Sequence, residues 1–372
     1  MFRSISCRPA DRRGAIAVLA ALLIVTFLGI MAFGIDVGYL ALARTELQNA
    51  ADASAMAGAA GLIDAPSQAL AQAKIFGEHN YAAAHDVIIV PAEDVAIGMW
   101  NFQNRTFQAA TTATLSQANA VQTTTRLDSS RTNSAPLFFA RIFGRDSQDM
   151  DAVATAALWS NLKGFRIPPN GQNLPLLPIA YDLDTWEEAM AGIGPDNWSW
   201  DGGQGQTNAT PDGVKEINLH PEGNNGSPGN RGLIEIGPDG GDTNAFRQQI
   251  LHGINPAELN HHGGSLELSS QGQMTLSGET GIRSTLQGDL HAIVGQTRIV
   301  PLFNQLADSG TNASYTIVKF GAVRIMEVDF NGSPKRIIAQ PTHVYIHGAI
   351  PDTSGASGSS SDMIYSAPRL VW

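Results

Sequence analysis

The chain has 372 residues and an ordinary globular composition, so it is long enough for two or three folded units that each bury a core. Its formal net charge is −11. An acidic body of this kind repels nucleic acid, and it contains no cluster of Lys and Arg that would suggest a phosphate site. The single cysteine, Cys7, excludes an intrachain disulfide and a multi-cysteine zinc site.

The first predicted element is an uncharged apolar run from Gly14 to Ile35. A helix needs roughly 20 apolar residues to cross the hydrocarbon layer, whereas a cleaved signal peptide has an apolar core of only about 7–15. We therefore predict a permanent transmembrane helix over residues 14–35, behind a basic cytoplasmic tail over residues 1–13. Arg12 and Arg13 set the orientation, with the N-terminus cytoplasmic and everything after Asp36 outside the inner membrane.

Beyond the membrane, residues 36–62 contain no proline and are predicted to continue the same helix. Small and apolar residues recur along it at spacings of three and four, and Gly34 and Gly38 are four apart. Small residues let helix backbones approach closely, so this face is predicted to pack against protein. The residues singled out for helix packing are Gly34, Gly38, Leu47, Ala50, Ala57 and Gly61. A plain alanine-rich stalk and a pilin-like helix, half embedded and half packed, both fit this pattern.

The segment "RRGAIAVLAALLIVTFLGIMAFGIDVGYLALARTELQNAADASAMAGAAGL" resembles the N-terminal region of the TadE/TadG-like proteins of the tight-adherence (Flp) pilus system. The marks are the Arg-Arg-Gly start, Asp36 with Gly38 and Tyr39 at the outer end of the span, and "RTELQNAADASAMAGA". The resemblance implies a pseudopilin-like accessory protein of the inner membrane with its body outside the cytoplasm. True pilins carry a glutamate where this chain has Leu19.

Residues 63–160 are predicted to form an α+β domain. It should begin with a helix from Pro66 to about Ala84, followed by strands in "VIIV", "DVAIGMW", "RTFQAAT" and "NAVQTTTRL", with a hairpin turn at "NFQNR". "APLFFARIFG" is predicted to be a short buried helix, and "DAVATAALW" a closing strand. The fold class is thus α+β, with a single extended N-terminal transmembrane helix of the pilin-like kind.

Residues 161–372 are predicted to form a β-rich domain outside the membrane, after a boundary rich in Pro, Gly and Asn. Its strand candidates include "GVKEINL", "GLIEIG" and "GSLELSS", and its short helices are Asn244–Leu251 and Pro256–Leu259. Asn331-Gly332 lies between two apolar-alternating runs, a pattern that predicts a hairpin with a type I′ turn.

Sites for chemistry are sparse in this sequence. No nucleophile motif, phosphate-binding glycine loop or metal-ligand spacing occurs, so we predict no catalytic residue, no cofactor and no resident metal. Asp182 and Asp184 can be an acid/base or calcium pair, or else a solvated edge or a helix cap. "DSSRT" at Asp128 only approaches the metal-binding pattern D-x-S-x-S. Trp186, Trp198 and Trp200 are candidate contacts for a partner or a glycan, or else local core residues.

The favoured hypothesis is a non-enzymatic, membrane-anchored accessory protein that assembles or anchors a Flp-type pilus. Its predicted partners are other pilus-assembly membrane proteins and pilin-like subunits, together with the membrane itself. The alternative is a tethered adhesin that binds carbohydrate or surface protein through its tryptophan-bearing loops. An envelope hydrolase is least favoured, because the catalytic motifs are missing.

Overall fold

A computed structural model describes residues 13–115, 118–221, 231–308, 310–352 and 360–371, with the side chains of residues 13–15 left aside. The chain forms two compact units. The first comprises the residues up to Ala157 together with the segment from Leu370 onward, and the second comprises Leu158–Arg369. The division falls between Ala157 and Leu158, where the sequence suggested 160 and 161.

The first unit is built on one helix, α1, which runs unbroken over Arg13–Gly61. Its 49 residues span about 70 Å at about 1.5 Å per residue, and the predicted continuity of the helix is confirmed. Alanine, the best helix former, dominates its second half, and the helix contains no proline. The large apolar side chains from Ile16 to Ile35 are 45–71% exposed, so this half lies bare of the rest of the unit.

The remaining elements of the first unit surround the second half of α1. Two further helices are α2 (Pro66–Glu78) and α3 (Pro91–Asp94). The strands are β1 (Tyr81–Ala82), β2 (His85–Asp86), β3 (Val95–Asn101), β4 (Thr106–Ala109), β5 (Ala120–Leu127), β6 (Ala135–Pro136), β7 (Ser147–Gln148) and β8 (Met150–Ala157). A five-stranded sheet has the order β24-β8-β5-β3-β4, in which β24 (Arg369–Val371) is the last strand of the chain.

The core of the first unit lies between α1, α2 and this sheet. Leu47 and the alanines of α1 that face the sheet are fully buried, in one cluster with Val121 and Leu127 of β5. The Thr125 hydroxyl donates a hydrogen bond to the Leu47 carbonyl oxygen at 2.9 Å. Small side chains on α1 permit this contact, since a hydroxyl of the sheet can reach the helix backbone only if no bulky group intervenes.

Three sequence predictions for this unit are wrong. The second helix ends at Glu78 instead of Ala84, because Ala83 and Ala84 have positive φ values that a helix does not allow. "VIIV" forms no strand. "APLFFARIFG" is not a buried helix: it contributes β6 and a 3-10 helix, Ala140–Phe143, which is exposed. The strands predicted around Met99, Phe107, Thr123 and Ala154 are confirmed, as is the hairpin between the first two.

The second unit is β-rich, as predicted. Its helices are α4 (Leu183–Met190), α5 (Thr243–His252), α6 (Pro256–His261) and α7 (Gln287–His291). Its strands are β9 (Leu162–Arg166), β10 (Ile179–Asp182), β11 (Ser199–Asp201), β12 (Gln206–Asn208), β13 (Ile217–Asn218), β14 (Gly232–Ile234), β15 (Ser265–Glu267), β16 (Met274–Thr280), β17 (Thr297–Ala307), β18 (Ala313–Asp329), β19 (Arg336–Pro341), β20 (Val344–Ile346), β21 (Ala349–Pro351), β22 (Ser361–Asp362) and β23 (Ile364–Ser366).

The main sheet of the second unit follows the order β13-β19-β18-β16-β14-β10-β17, and β22 pairs with β18. Because β17 pairs with both β10 and β18, five of these strands close into a ring. Apolar side chains pack in two clusters, one around Phe165 and Phe320 and the other around Trp186 and Phe246.

The hairpin predicted at Asn331-Gly332 is confirmed, but its predicted turn type is wrong. Strands β18 and β19 pair antiparallel, and residues 330–335 connect them. Neither Asn331 nor Gly332 has the positive φ of a type I′ turn. The Asp329 side chain accepts hydrogen bonds from the backbone N–H groups of both residues, at 2.9 and 3.3 Å. This Asx turn, in place of a type I′ turn, reverses the direction of the chain.

Candidate functional site

Asp36 lies at the outer end of the apolar half of α1 and is buried, although its neighbours on the helix are exposed. Its carboxylate accepts hydrogen bonds from three consecutive backbone N–H groups. Oδ1 lies 2.9 Å from the nitrogen of Phe138, and Oδ2 lies 2.7 Å from that of Ala140. The N–H of Phe139 lies between the two oxygens, at 3.2 and 3.1 Å. Asp36 thus fixes one distant segment of the unit against the helix.

The segment that Asp36 holds is the apolar loop, Leu137–Gly144. Its three N–H donors lead into the 3-10 helix Ala140–Phe143, whose first amides have no partner within the helix. A carboxylate is the natural acceptor for such amides, because it adds favourable charge at the helix start. Gly144 ends the 3-10 helix with φ +80°, and Tyr39 of α1 packs edge-to-face on Phe138 with ring centroids 5.0 Å apart.

The apolar loop presents large apolar side chains to the outside. Phe143 is 89% exposed and Ile142 76%, with Phe138 and Phe139 partly exposed beside them. Between the loop and α1 lies a groove of about 690 Å³, lined on the helix by residues from Leu28 to Asp36. The loop therefore lies alongside the last turns of the apolar half of the helix.

The residues predicted for helix packing fall into two groups. Gly34 and Gly38 are exposed, and a Cβ added to either would meet nothing within 4 Å. Leu47 and Ala50 are fully buried, and a Cβ on Gly61 would lie 2.9 Å from backbone atoms of Gln68 and Ala69. Ala57 is half-buried. The packing partner of Leu47, Ala50 and Gly61 is thus this unit's own α2 and sheet, which leave a companion helix no access to them.

The residues predicted to set membrane orientation lie at the edge of the described chain. Arg12, with the rest of the basic tail, lies outside the described residues. Arg13 is the first residue of α1.

The three candidate tryptophans lie in the second unit in different environments. Trp186 is fully buried, and its indole N–H donates to the Asp362 carboxylate at 2.8 Å, so it offers no surface to a glycan or partner. The guanidinium of Arg324 lies 4.0 Å above the ring of Trp200, which is half-buried. Trp198 is also half-buried. A partner or glycan contact stays a prediction for Trp198 and Trp200 alone.

Two of the three acidic residues considered for chemistry, Asp128 and Asp182, cap short helices. Asp128 caps the 3-10 turn Ser129–Arg131, and a hydrogen bond from the Ser130 hydroxyl lowers the pKa of its carboxyl. Asp182 caps α4 through the Thr185 N–H and pairs with Arg231 at 2.8 Å, while Asp184 is exposed. Among the described residues no group of three or more His, Cys, Asp and Glu side chains is placed to hold a metal ion.

The comparisons with known families cover the first unit. The family described as "Putative Flp pilus-assembly TadE/G-like" matches residues 14–61. A second, described as "Putative Tad-like Flp pilus-assembly", matches residues 57–156. The N-terminal region of this chain is that of a Tad-family pilus-assembly protein.

The two Tad matches meet within α1 and together run to within one residue of the end of the first unit. They support a role in Flp pilus assembly, and the two families are themselves structural or accessory. The second unit lies outside both matches. No curated protein and no solved structure matched the chain.

The resemblance to the Tad family draws attention to Asp36 but does not indicate that it binds the apolar loop. The only sequence feature of that loop is the apolar run "PLFFARIFG", which ends in glycine and predicts a buried helix. Nothing in the spacing connects this run to Asp36, because about a hundred residues separate them and only the folded sheet brings them together.

Proposed function

We propose that this chain is a non-enzymatic, pseudopilin-like accessory protein that assembles or anchors a Flp-type pilus from the inner membrane. One observation carries the proposal: a single unbroken helix of 49 residues is bare along its apolar first half and covered by an α+β unit along its second half. This bare half is long and apolar enough to cross a bilayer, which supports a hydrocarbon environment for it.

The absence of a linker within α1 has a mechanical consequence. The helix enters the core of the first unit without a break, and Leu47, Ala50 and Ala51 are fully buried there. Tilting or lifting the unit therefore moves the membrane helix with it. Such rigidity suits a component that transmits or resists force between membrane partners during assembly, in contrast to a protein tethered by a flexible linker.

The proposed orientation places the N-terminus in the cytoplasm and everything after Asp36 outside it. It rests on the arginines that precede the span, including Arg12 and Arg13, and on the rule that basic residues remain on the cytoplasmic side.

We propose that Gly34 and Gly38 contact another membrane component of the pilus machinery. Two residues along a helix correspond to a rotation of about 200°, so these glycines lie on the side of α1 opposite to Asp36 and the apolar loop. Ala41 and Thr45 continue this side beyond the span and are exposed as well. A companion helix can approach closely here, because small residues bring backbones within van der Waals contact.

The proposal is tested by photo-crosslinking in the piliated source cell, with a photoreactive residue at Gly38 or at Phe33. Phe33 lies about 7.5 Å closer to the N-terminus along the helix axis and about 140° away around the helix, and it lines the groove beside the apolar loop. We expect adducts with another pilus-assembly membrane protein from Gly38 and far fewer from Phe33. Equal adducts from both positions would contradict the proposed contact face.

A second experiment addresses the function itself. Deletion of the gene should abolish surface Flp pili, and the wild-type chain should restore them. Normal piliation in the deletion strain would overturn the proposal. Gly38→Leu should restore pili poorly, because its side chain separates the helices, whereas Val37→Leu, on an exposed neighbouring position, should restore them fully.

A further inference from the structure

We propose that the apolar loop, Leu137–Gly144, is a second membrane contact that inserts into the leaflet from which α1 emerges, and that Asp36 is the residue that positions it. The inference rests on the proposed function in one respect, namely that the apolar half of α1 spans a bilayer.

The position of the loop relative to the helix supports this inference. Ile142 and Phe143 line the same groove as Leu28, Met31 and Phe33 of α1. Leu28 precedes Asp36 by eight residues, which is about 12 Å along the helix axis. If Leu28–Ile35 lies in lipid, the loop beside it lies in lipid too, at a depth comparable to the roughly 5–10 Å that interfacial segments penetrate.

The exposed surface of the loop has the chemistry of such a segment. Four large apolar side chains lie within six positions, and the outermost, Phe143, is almost fully exposed. Soluble surfaces rarely gather apolar groups in this way without something to cover them. The apolar surface of the loop continues directly into the bare apolar surface of α1, so one occupant, the lipid, covers both.

The polar groups of the loop are arranged to suit this depth. The backbone N–H groups of Phe138, Phe139 and Ala140 all donate to the Asp36 carboxylate, so none of these three donors enters the hydrocarbon without a partner. Arg141 and Arg145 are exposed beside the aromatic side chains, with Asp146 the one acidic neighbour in sequence. Long basic side chains of this kind extend toward lipid phosphates while their stems remain in the apolar region.

Asp36 acts through the loop and does not itself contact lipid. Its carboxylate is buried and accepts hydrogen bonds from the three amides of the loop. Tyr39, about one helical turn after Asp36, packs edge-to-face against the ring of Phe138. Removal of the carboxylate leaves three amides unpaired close to the membrane, and the 3-10 helix loses its fixed position.

The test uses the full chain in phosphatidylcholine vesicles, with Cys7 replaced by serine and a fluorophore on a single introduced cysteine. The positions are Phe143→Cys in the loop, Phe27→Cys in the span, and Asn104→Cys on an exposed turn of the same unit. Quenching by lipids that carry a doxyl group near the headgroup or near the end of the acyl chain reports lipid contact at those two depths, and quenching by iodide reports water.

We expect the label at 143 to be quenched by the doxyl lipids and to be several-fold less accessible to iodide than the label at 104. Asp36→Ala should reverse this pattern at 143 and leave the label at 27 unchanged, while Asp36→Asn, which keeps one acceptor oxygen, should have an intermediate effect. Circular dichroism and protease resistance check that the unit remains folded.

The outcomes separate the two proposals. If the label at 27 shows no lipid contact, the membrane anchor itself fails. If 27 contacts lipid but the label at 143 is open to iodide, the loop inference alone is overturned. A label at 143 that is shielded from both kinds of quencher would show that protein, for example a second copy of this chain, covers the loop, and this too overturns the inference.

Discussion

The Ser54 hydroxyl of α1 donates a hydrogen bond of 2.8 Å to the carbonyl oxygen of Ala73 in α2, and both residues are fully buried. The same hydroxyl lies 3.2 Å from the Thr123 hydroxyl of β5. One polar atom therefore joins α1 to α2 and to the sheet.

Replacement of Ser54 by alanine should destabilise the first unit by about 1 kcal/mol, because a buried hydrogen bond is lost while the shape is nearly kept. Pulse proteolysis in urea, carried out on the full chain in detergent, measures the change. Ser67→Ala is the matched control: Ser67 is an exposed residue of α2 and its loss should have almost no effect. Equal stability of the Ser54 variant and the wild type would contradict a stabilising role for the Ser54 hydrogen bonds.

Two glycines of α1 should respond oppositely to the same substitution. Gly61→Ala should destabilise the first unit by about 1–3 kcal/mol, because the new Cβ meets α2 backbone at 2.9 Å and overpacking outweighs the better helix propensity of alanine. Gly38→Ala should instead stabilise the unit by up to about 1 kcal/mol, since its surroundings are open and alanine has the better helix propensity. The same proteolysis measures both, and equal effects would contradict the packing described for Gly61.

The Asp182–Arg231 pair should give α4 a pH-dependent stability. Burial raises the pKa of Asp182, but the hydrogen bond from Thr185 and the Arg231 guanidinium outweigh it, and the pKa is lowered. A carboxyl with a lowered folded-state pKa contributes stability that is present above its unfolded value of about 3.9 and is lost as the pH falls through the folded value.

Hydrogen exchange, corrected for the intrinsic effect of pH, tests this prediction on the amides of α4. Protection in the wild type should decline below about pH 4, while Asp182→Asn should remove that pH dependence and keep a capping oxygen. Asp182→Ala should also lose the cap, at a cost of about 1 kcal/mol. Asp184→Asn, at an exposed position, should behave like the wild type. If the protection of the α4 amides still declines below about pH 4 in Asp182→Asn, a group other than Asp182 causes the decline.

Trp186→Ala should destabilise the second unit by about 3–5 kcal/mol, because it empties a fully buried site and leaves Asp362 without its indole donor. Trp198→Ala should cost much less, since Trp198 is half-buried. Urea unfolding followed by tryptophan fluorescence measures both variants. A small effect at Trp186 would mean that its ring is not part of the core.

The sequence predicted the long helix well because its causes are local. Alanine-rich composition, the absence of proline and the spacing of small residues act within a few turns and do not depend on the rest of the fold. The same spacing cannot say what the small residues pack against. Leu47 and Ala50 meet a strand, Ala120–Leu127, that lies more than sixty residues further along the chain.

The features that the sequence did not predict all depend on distant partners. The apolar loop was interpreted as buried because apolar runs usually fill a core, yet its place is set by Asp36. For Trp186 the sequence leaves a partner contact and a local core both open, and the structure places its ring in the core. At Asn331-Gly332 the preceding Asp329 governs the turn, which outweighs the intrinsic preference of the dipeptide.

The edge strand β24 belongs to the sheet of the first unit but follows the whole second unit in the sequence. Leu370 and Val371 extend the sheet beside β8, although residues 158–369 separate them from β8 in the sequence. Until the chain has been synthesised as far as Val371, β8 presents an unpaired edge that another chain can occupy. The first unit is therefore completed only after the second has been made, and a premature stop codon anywhere in the second unit would also leave the sheet of the first unit one strand short.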